Sequence, residues 1–311
     1  MESVFEAILP VFGIMILGYL AARFGFMEES AIDGLSKFVF NFAIPVLLFR
    51  KLAMAGLPDR IPWELPIAYY GGVFAIFLFA AVLGLVLFRR GAAEAISYGA
   101  ASCYGNAILI GIPIVLATYG DRASVPLFIV VGIHTLVLVP AISLGYALAG
   151  GKGRGLAGAM GAIAGDLVRN PILIGMAAGL FYGRSGPALP QVVGETMRLL
   201  GEASMPAALF AVGGTLARYS IGGQIAHAVA LSAIKLALLP LVVWLLAAGL
   251  LGLPLLWVQV VVLLAALPSG VTAFLFADRY GAAKNTVTTT IVLSTVLGLA
   301  TVPVAIWLSA R

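Results

Sequence analysis

Uncharged polar residues, glycines and prolines interrupt two of the most apolar stretches of the chain. The first holds Asn106 and Gly111-Ile112-Pro113, and the second runs Pro268-Ser269-Gly270-Val271-Thr272. Inside a membrane, an opened backbone must have its N–H and C=O groups satisfied by protein, water or ligand. Because helix N-termini carry partial positive charge, two interruptions that face one point predict an anion site. The alternative is a pair of proline kinks filled by neighbouring helices.

A lysine lies within a third apolar stretch, in Ser232-Ala233-Ile234-Lys235-Leu236. A lysine near the bilayer centre costs roughly 2.5–3.5 kcal/mol on insertion scales, so Lys235 should face a cavity or a partner. One interpretation is that it attracts or binds the carboxylate of a substrate. The other is that it extends to the membrane surface, or pairs with Glu202 or with a backbone carbonyl.

Two further polar residues hold similar places before prolines. Glu202 lies one turn before Pro206, and Asn41 lies one turn before Pro45. Both could line a wall that faces the interruptions, and Glu202 could take up a proton. A structural role for Glu202, at a helix end or beside Lys235, is the competing interpretation.

The remaining reactive side chains give little support to an enzyme. Cys103 is the only cysteine, and the two histidines, His134 and His227, lack metal-ligand spacing, so no cofactor or metal is expected. His134 is more typical of a hydrogen-bonded interior histidine than of a proton relay. An intramembrane aspartyl protease needs two mid-membrane aspartates, whereas Asp166 and Asp278 lie near the ends of apolar stretches.

Composition predicts an all-α polytopic membrane protein. The 311 residues are 62% hydrophobic and 10% charged, where a soluble domain has about 25% charged residues. At roughly 20 residues per span, the chain has room for about ten transmembrane helices. The net charge of +5 is scattered through loops, which suits anionic lipid head groups and not nucleic acid. The predicted spans are 3–24, 31–52, 65–88, 94–118, 122–149, 162–183, 191–217, 224–250, 254–277 and 286–309.

The two halves of the chain are related by a shift of 161 positions. The shift places Gly18 on Gly179, Phe49 on Phe210 and Tyr119-Gly120 on Tyr280-Gly281. It also aligns Asn41 with Glu202, and it aligns the two interrupted stretches with each other. A repeat of five spans enters the membrane from opposite sides, which predicts inverted repeats over 1–151 and 157–311, joined by a glycine-rich linker near 150–158. Arginine and lysine are more frequent in the loops after odd-numbered spans, which places both termini outside the cytoplasm.

Three motifs resemble the auxin efflux carrier family, which includes plant and bacterial carriers. They are N-A-I-L-I-G-I-P at 106–113 followed by T-Y-G, A-L-P-S-G-V-T-A-F-L-F-A-D-R-Y-G at 266–281, and N-F-A-I-P-V-L-L-F at 41–49. The resemblance covers the whole chain. One departure is Ala273, where the plant pattern has a proline, so the geometry of the second interruption need not match.

The resemblance implies two inverted five-helix repeats with crossed broken helices 4 and 9, as in bile acid sodium symporters. It implies a scaffold (1–56 and 160–220) and a transport domain (62–150 and 222–311) that moves as an elevator, in a homodimer within a bacterial inner membrane. It also implies an organic anion substrate, such as an auxin-like acid, malate or malonate. The residues expected near its carboxylate are Asn106, Gly111, Pro113, Gly270 and Thr272.

The sequence therefore predicts a secondary transporter of small carboxylates, with Asn106 and the opened backbone at 111–113 and 269–273 holding the anion. The alternative is a sodium- or proton-coupled symporter or antiporter of the same fold. That alternative needs acidic ligands at the interruptions, which carry only Asn106, Ser269 and Thr272.

Overall fold

The computed structural model is helical throughout and describes residues 2–55, 62–150, 161, 165, 167–186 and 189–309, with side chains from residue 8 onward except 55 and 185. The helices of the first half are α1 (Glu2–Arg23), α2 (Glu29–Phe38), α3 (Ile44–Ala55), α4 (Glu64–Val86), α5 (Ala92–Cys103), α6 (Ile112–Tyr119) and α7 (Ser124–Leu148). Those of the second half are α8 (Pro171–Ser185), α9 (Gln191–Leu216), α10 (Ile225–Ala233), α11 (Leu239–Trp244), α12 (Leu255–Ala266), α13 (Val271–Arg279) and α14 (Lys284–Ser309).

Short π-helical segments continue several of these helices. Val39–Ala43 joins α2 to α3, and Ala107–Gly111 leads directly into α6. Ile234–Leu238 joins α10 to α11, and Leu245–Leu250 extends α11. A helical run can therefore cover a membrane-length stretch even where its regular hydrogen bonding changes.

Among the residues that the structure describes, six helical runs are long and apolar enough to cross a membrane, as in a polytopic membrane protein. They are Glu29–Met54, Glu64–Val86, Ala107–Leu148, Gln191–Leu216, Ile225–Leu250 and Lys284–Ser309. Ile8–Arg23 and Leu255–Ala266 are shorter apolar helices. Each of the ten predicted spans overlaps at least one helix among the described residues, although residues 104–106 and 267–270 interrupt two of them, and ten crossings in two inverted repeats stay a prediction. The loop at 56–60, residues 151–158 of the linker, Asp166 and most of the start of the sixth span lie outside the described residues.

Glycines permit two helix pairs to approach closely. Gly18 on α1 faces the backbone of Phe210 on α9, where a Cβ atom would overlap it. Gly179 on α8 faces the backbone of Phe49 on α3 in the same way. The two contacts are equivalent under the shift of 161, and they are what two related halves would make.

α12 lies at the centre of the fold and carries one of the two interruptions. Its residues from Val260 to Ala266 are all buried, and it packs against α4, α7, α11 and α14. A stretch with this composition all round is a core helix and not a lipid-facing one. The interruption that follows it is consequently enclosed by protein.

Candidate functional site

Two helices stop at the same place inside the protein, and the two open segments pair with each other. α5 ends at Cys103 and α12 ends at Ala266. Between them, Gly105 and Ser269 form an isolated antiparallel bridge. The Asn106 N–H donates to the Pro268 carbonyl at 3.2 Å, and the Gly270 N–H donates to the Tyr104 carbonyl at 2.8 Å. The backbone groups released by one interruption are thus satisfied by the other, as burial requires.

Local chemistry explains why the second helix stops. Pro268 disfavours the helical conformation at the residue before it, and Leu267 is extended at φ −62°, ψ 151°. Gly270 is also extended, at φ −82°, ψ 151°. A Cβ atom on Gly270 would lie 3.2 Å from the carbonyl oxygen of Gly105, so glycine is needed for the close approach of the two segments.

The first interruption lies at residues 104–106 and not at Gly111-Ile112-Pro113, where the sequence placed it. The Asn106 side chain accepts a hydrogen bond from the Leu109 N–H at 3.3 Å, and this cap starts the helical run at Ala107. Gly111 therefore ends a π turn, and Pro113 follows as the second residue of α6, within a helical run that has already begun at Ala107. The asparagine, and not the proline, sets the position of the break.

The second opening is likewise shifted, covering 267–270 and not 269–273. Val271 begins α13, so Val271, Thr272 and Ala273 form its first turn. Ala273 is buried within this turn, which is regular without the proline of the plant pattern.

Both helices that follow the interruptions begin at one cavity of about 70 Å³. The cavity is lined by Phe40, Tyr104, Gly105, Asn106, Ala107, Ile108, Leu109, His134, Gly270, Val271 and Thr272. The first N–H groups of a helix have no partner within the helix, and the helix dipole makes that end positive. Two such ends on one small cavity favour an anion.

Asn106 both lines the cavity and caps the helical run that begins at Ala107. It is 9% exposed, and its side-chain oxygen accepts the capping hydrogen bond. An amide has two N–H donors besides its oxygen. The cap therefore leaves these donors available to a ligand.

Lys235 lies behind the cavity wall and does not line it. The side chain is 0% exposed, and its Nζ donates to the Ala265 carbonyl at 2.6 Å, at the end of α12. A Cβ atom on Gly105 would lie 3.4 Å from this Nζ, so only the Gly105 backbone separates the ammonium group from the cavity. Of the partners considered from sequence, the structure contains the backbone carbonyl and not Glu202.

Pro268 and Ser269 position the site without lining the cavity. Ser269 is buried; its Oγ donates to the Ala101 carbonyl at 2.6 Å, and its N–H donates to Ser294 Oγ at 3.1 Å. These bonds tie the open segment to α5 and α14.

Asn41 and Glu202 are not among the residues that line this cavity, so the wall predicted for them stays a prediction. Glu202 is 60% exposed and pairs with Arg198, one turn earlier on α9, at 2.6 Å. Asn41 is exposed, while Val39 and Ala43 of the same π turn are buried. The neighbouring Phe40 lines the cavity instead.

Sequence reasoning missed His134 and Tyr104 as lining residues. Both are buried, and their rings meet edge to face with centroids 4.9 Å apart. His134 is an interior histidine, but neither ring nitrogen makes a hydrogen bond of normal geometry to the described residues, although the Gly105 carbonyl approaches the ring. In that same part of the chain, no three His, Cys, Asp or Glu side chains are grouped as metal ligands.

Comparison with known proteins gives a consistent result across the whole chain. The family described as "Membrane transport protein" matches residues 3–156 and 162–308. A putative malonate transporter of Rhizobium meliloti is 29% identical over 303 residues, covering 97% of this chain and 94% of that protein. Auxin efflux carrier component 8 of Arabidopsis thaliana is 24% identical, covering 96% and 95%. The uncharacterized transporter YfdV of Escherichia coli is 26% identical, covering 97% and 96%.

Proposed function

We propose, from the premise that this chain belongs to the membrane transport protein family that includes the auxin efflux carriers, that it is a secondary transporter of small organic anions. Its substrates are carboxylates such as malonate, malate or auxin-like acids. The observation that carries the proposal is the meeting of two helix N-termini, at Ala107 and Val271, on one small cavity. The similarity to a putative malonate transporter supports the same substrate class.

Four groups hold the anion in this proposal. The first-turn N–H groups after Asn106 and Gly270 supply donors that need no side chain. The Asn106 amide adds a directed donor. Lys235, behind Gly105, adds positive potential without contacting the substrate. Thr272 adds a hydroxyl to the cavity lining.

Movement of a transport domain (62–150 and 222–311) against a scaffold (1–56 and 160–220) would give alternating access. A surface groove of about 180 Å³ with an almost entirely apolar lining runs along the boundary of the two proposed units. α1 contributes Met15 and Tyr19 from the scaffold, and α14 contributes Thr295 and Val296 from the transport domain. A homodimer formed through the scaffold, in a bacterial inner membrane with both termini outside the cytoplasm, completes the proposal.

Coupling to sodium or protons is the second candidate. The described residues lining the cavity include no Asp or Glu, so a cation there would depend on carbonyl oxygens. The ammonium group of Lys235 already lies against one such carbonyl, that of Ala265. We therefore propose that transport needs no sodium, and that the site carries the anion without a bound metal or cofactor.

Counterflow in proteoliposomes tests the function directly. Purified protein is reconstituted in vesicles loaded with unlabelled malonate, and entry of labelled malonate is followed with acetate, malate and indole acetic acid as competitors. Exchange above that of protein-free vesicles is expected, unchanged when sodium is replaced by choline. Absence of exchange with every carboxylate contradicts the function, and a strict need for sodium supports the coupled alternative.

A further inference from the structure

His134 is a buried polar side chain that the proposed binding of one carboxylate leaves unused. It lies on α7, is 1% exposed and forms part of the cavity wall. Neither Nδ1 nor Nε2 has a hydrogen-bond partner among the described residues, although the Gly105 carbonyl approaches the ring. Because buried polar groups are nearly always hydrogen-bonded in native proteins, these two nitrogens need a ligand or water.

Aromatic side chains fix the imidazole in place. Tyr104 meets it edge to face, and the rings of Tyr69 and Tyr70 lie 6.2 Å and 6.3 Å from it. The Tyr70 hydroxyl donates to the Val130 carbonyl at 2.7 Å, one turn before His134 on the same helix, so it is not directed at the histidine. The ring is therefore held by packing, with its nitrogens left for the cavity.

Few charged or titratable groups surround the histidine. From α4 they are Tyr69 and Tyr70, from α5 and the segment after it Cys103 and Tyr104, and from the π segment after α10 Lys235. Among these described neighbours no carboxylate is present to pair with the imidazole. A negatively charged partner must come from a ligand.

We infer that His134 is a direct ligand of the transported anion and that it hydrogen-bonds to a second oxygen-bearing end of it. The inference rests on the proposed function. One carboxylate lies at the N-termini after Asn106 and Gly270, and the other end of a short dicarboxylate reaches His134 across the same cavity. At about 70 Å³ the cavity is far below the roughly 300–1,000 Å³ of sites for drug-sized ligands, which favours a short chain.

Selectivity follows from the unpaired nitrogens. A site built to hydrogen-bond a substrate group strongly rejects an analogue that lacks it, because the protein group is then left buried and unpaired. Acetate would occupy the helix N-termini and leave His134 without a partner. Malonate would satisfy both ends of the site, so the protein should prefer it over acetate.

The test measures malonate and acetate binding to the detergent-purified full chain by thermal shift, and exchange by counterflow. The variants are His134→Phe, which keeps a planar ring, and His134→Gln, which keeps a hydrogen-bonding group. His227→Phe is the matched control, since His227 bonds to the Tyr98 hydroxyl and lies outside the cavity lining. In His134→Phe, malonate should bind at least about tenfold more weakly while acetate binding changes less than about twofold, and His134→Gln should recover part of the loss.

The outcomes separate this inference from the function on which it rests. If the natural sequence neither binds nor exchanges any carboxylate, the proposed function fails. If it exchanges malonate, and His134→Phe keeps the same preference for malonate over acetate, the inference is overturned and the function stands.

Should His134→Phe not fold, the His227→Phe protein labelled with ¹⁵N-histidine provides the readout, because His134 is then its only histidine. Malonate must shift the ring nitrogen signals, and unchanged signals at saturating malonate overturn the inference.

Discussion

Gly105 and Ser269 pair as an antiparallel bridge at the point where α5 and α12 both end. The bridge binds two interruptions that are far apart in sequence into one small unit of irregular backbone. Its flanking bonds, from Asn106 to Pro268 and from Gly270 to Tyr104, leave the next helical turns to open onto the cavity. The separation of the two segments therefore determines how the two helix N-termini are arranged around the cavity.

The first prediction concerns this separation. Gly270→Ala should lower the free energy of unfolding by about 1–3 kcal/mol, because the new Cβ atom would lie 3.2 Å from the Gly105 carbonyl oxygen and 3.3 Å from its carbon. Exchange of malonate should fall further than stability does, since the two N-termini move apart. Thermal unfolding and counterflow on the same preparation measure both effects.

Gly249→Ala is the matched control for that substitution. Gly249 lies in the helical segment Leu245–Leu250, and nothing approaches its Cβ position within 4 Å. Alanine favours a helix over glycine by up to about 1 kcal/mol, so this variant should be as stable as the natural sequence or more so. Equal effects of the two substitutions would show that the close approach at Gly270 does not shape the site.

The second prediction separates capping from ligand binding at Asn106. Asn106→Ala removes a cap on the Leu109 N–H, and Asn170→Ala removes the equivalent cap on the Ile172 and Leu173 N–H groups at the start of α8. Each should cost about 1 kcal/mol of stability. Only Asn106→Ala should weaken malonate exchange, by at least about tenfold, because a hydrogen bond to an anion contributes roughly 1.5–3 kcal/mol. Similar loss of exchange in both variants would reduce Asn106 to a structural cap.

The sequence predicts the helices well and the contacts between them poorly. Hydropathy locates the helical runs, and Pro268 locates its break because a proline acts on the residue before it. Pro113 does not mark the first break. Asn106 starts the helical run, and the proline lies inside that run, where the π turn gives way to α6. The shift of 161 aligns the ends of the two half-helices near Tyr119 and Tyr280, but their starts at Ala107 and Val271 are 164 apart.

A sequence also does not indicate which backbone atoms will serve as hydrogen-bond partners of a buried side chain. For Lys235 the sequence leaves a substrate carboxylate, Glu202 and a backbone carbonyl as alternatives, and only the fold shows that its partner is the Ala265 carbonyl. The unpaired nitrogens of His134 depend on which rings surround it after folding. Side-chain type located the interrupted stretches, whereas the cavity itself is defined mainly by backbone geometry.

The third prediction is that Glu202 takes no part in transport. Its side chain is 60% exposed and pairs with Arg198 in a surface ion pair, which contributes about 0–1 kcal/mol. Glu202→Gln should exchange malonate within about twofold of the natural sequence at both acidic and neutral pH. If malonate accumulates under a proton gradient with the natural sequence and not with Glu202→Gln, Glu202 carries a proton and this prediction is wrong.

The fourth prediction assigns Lys235 an electrostatic role that can be separated from folding. With Nζ behind the Gly105 backbone, its charge would interact with a bound carboxylate by on the order of 2 kcal/mol at an effective dielectric constant of about 20. Lys235→Met should therefore weaken malonate binding roughly 30-fold. Stability should not fall, because a buried ammonium group with no acidic partner among the described residues is replaced by an apolar chain of similar length.

Lys37→Met, at an exposed position at the end of α2, is the control for loss of one charge and should change neither malonate binding nor stability. Thermal shift with a malonate titration measures both quantities in one experiment. A Lys235→Met protein that is destabilised but binds malonate normally would make the lysine a clamp on the end of α12 and would remove it from anion recognition.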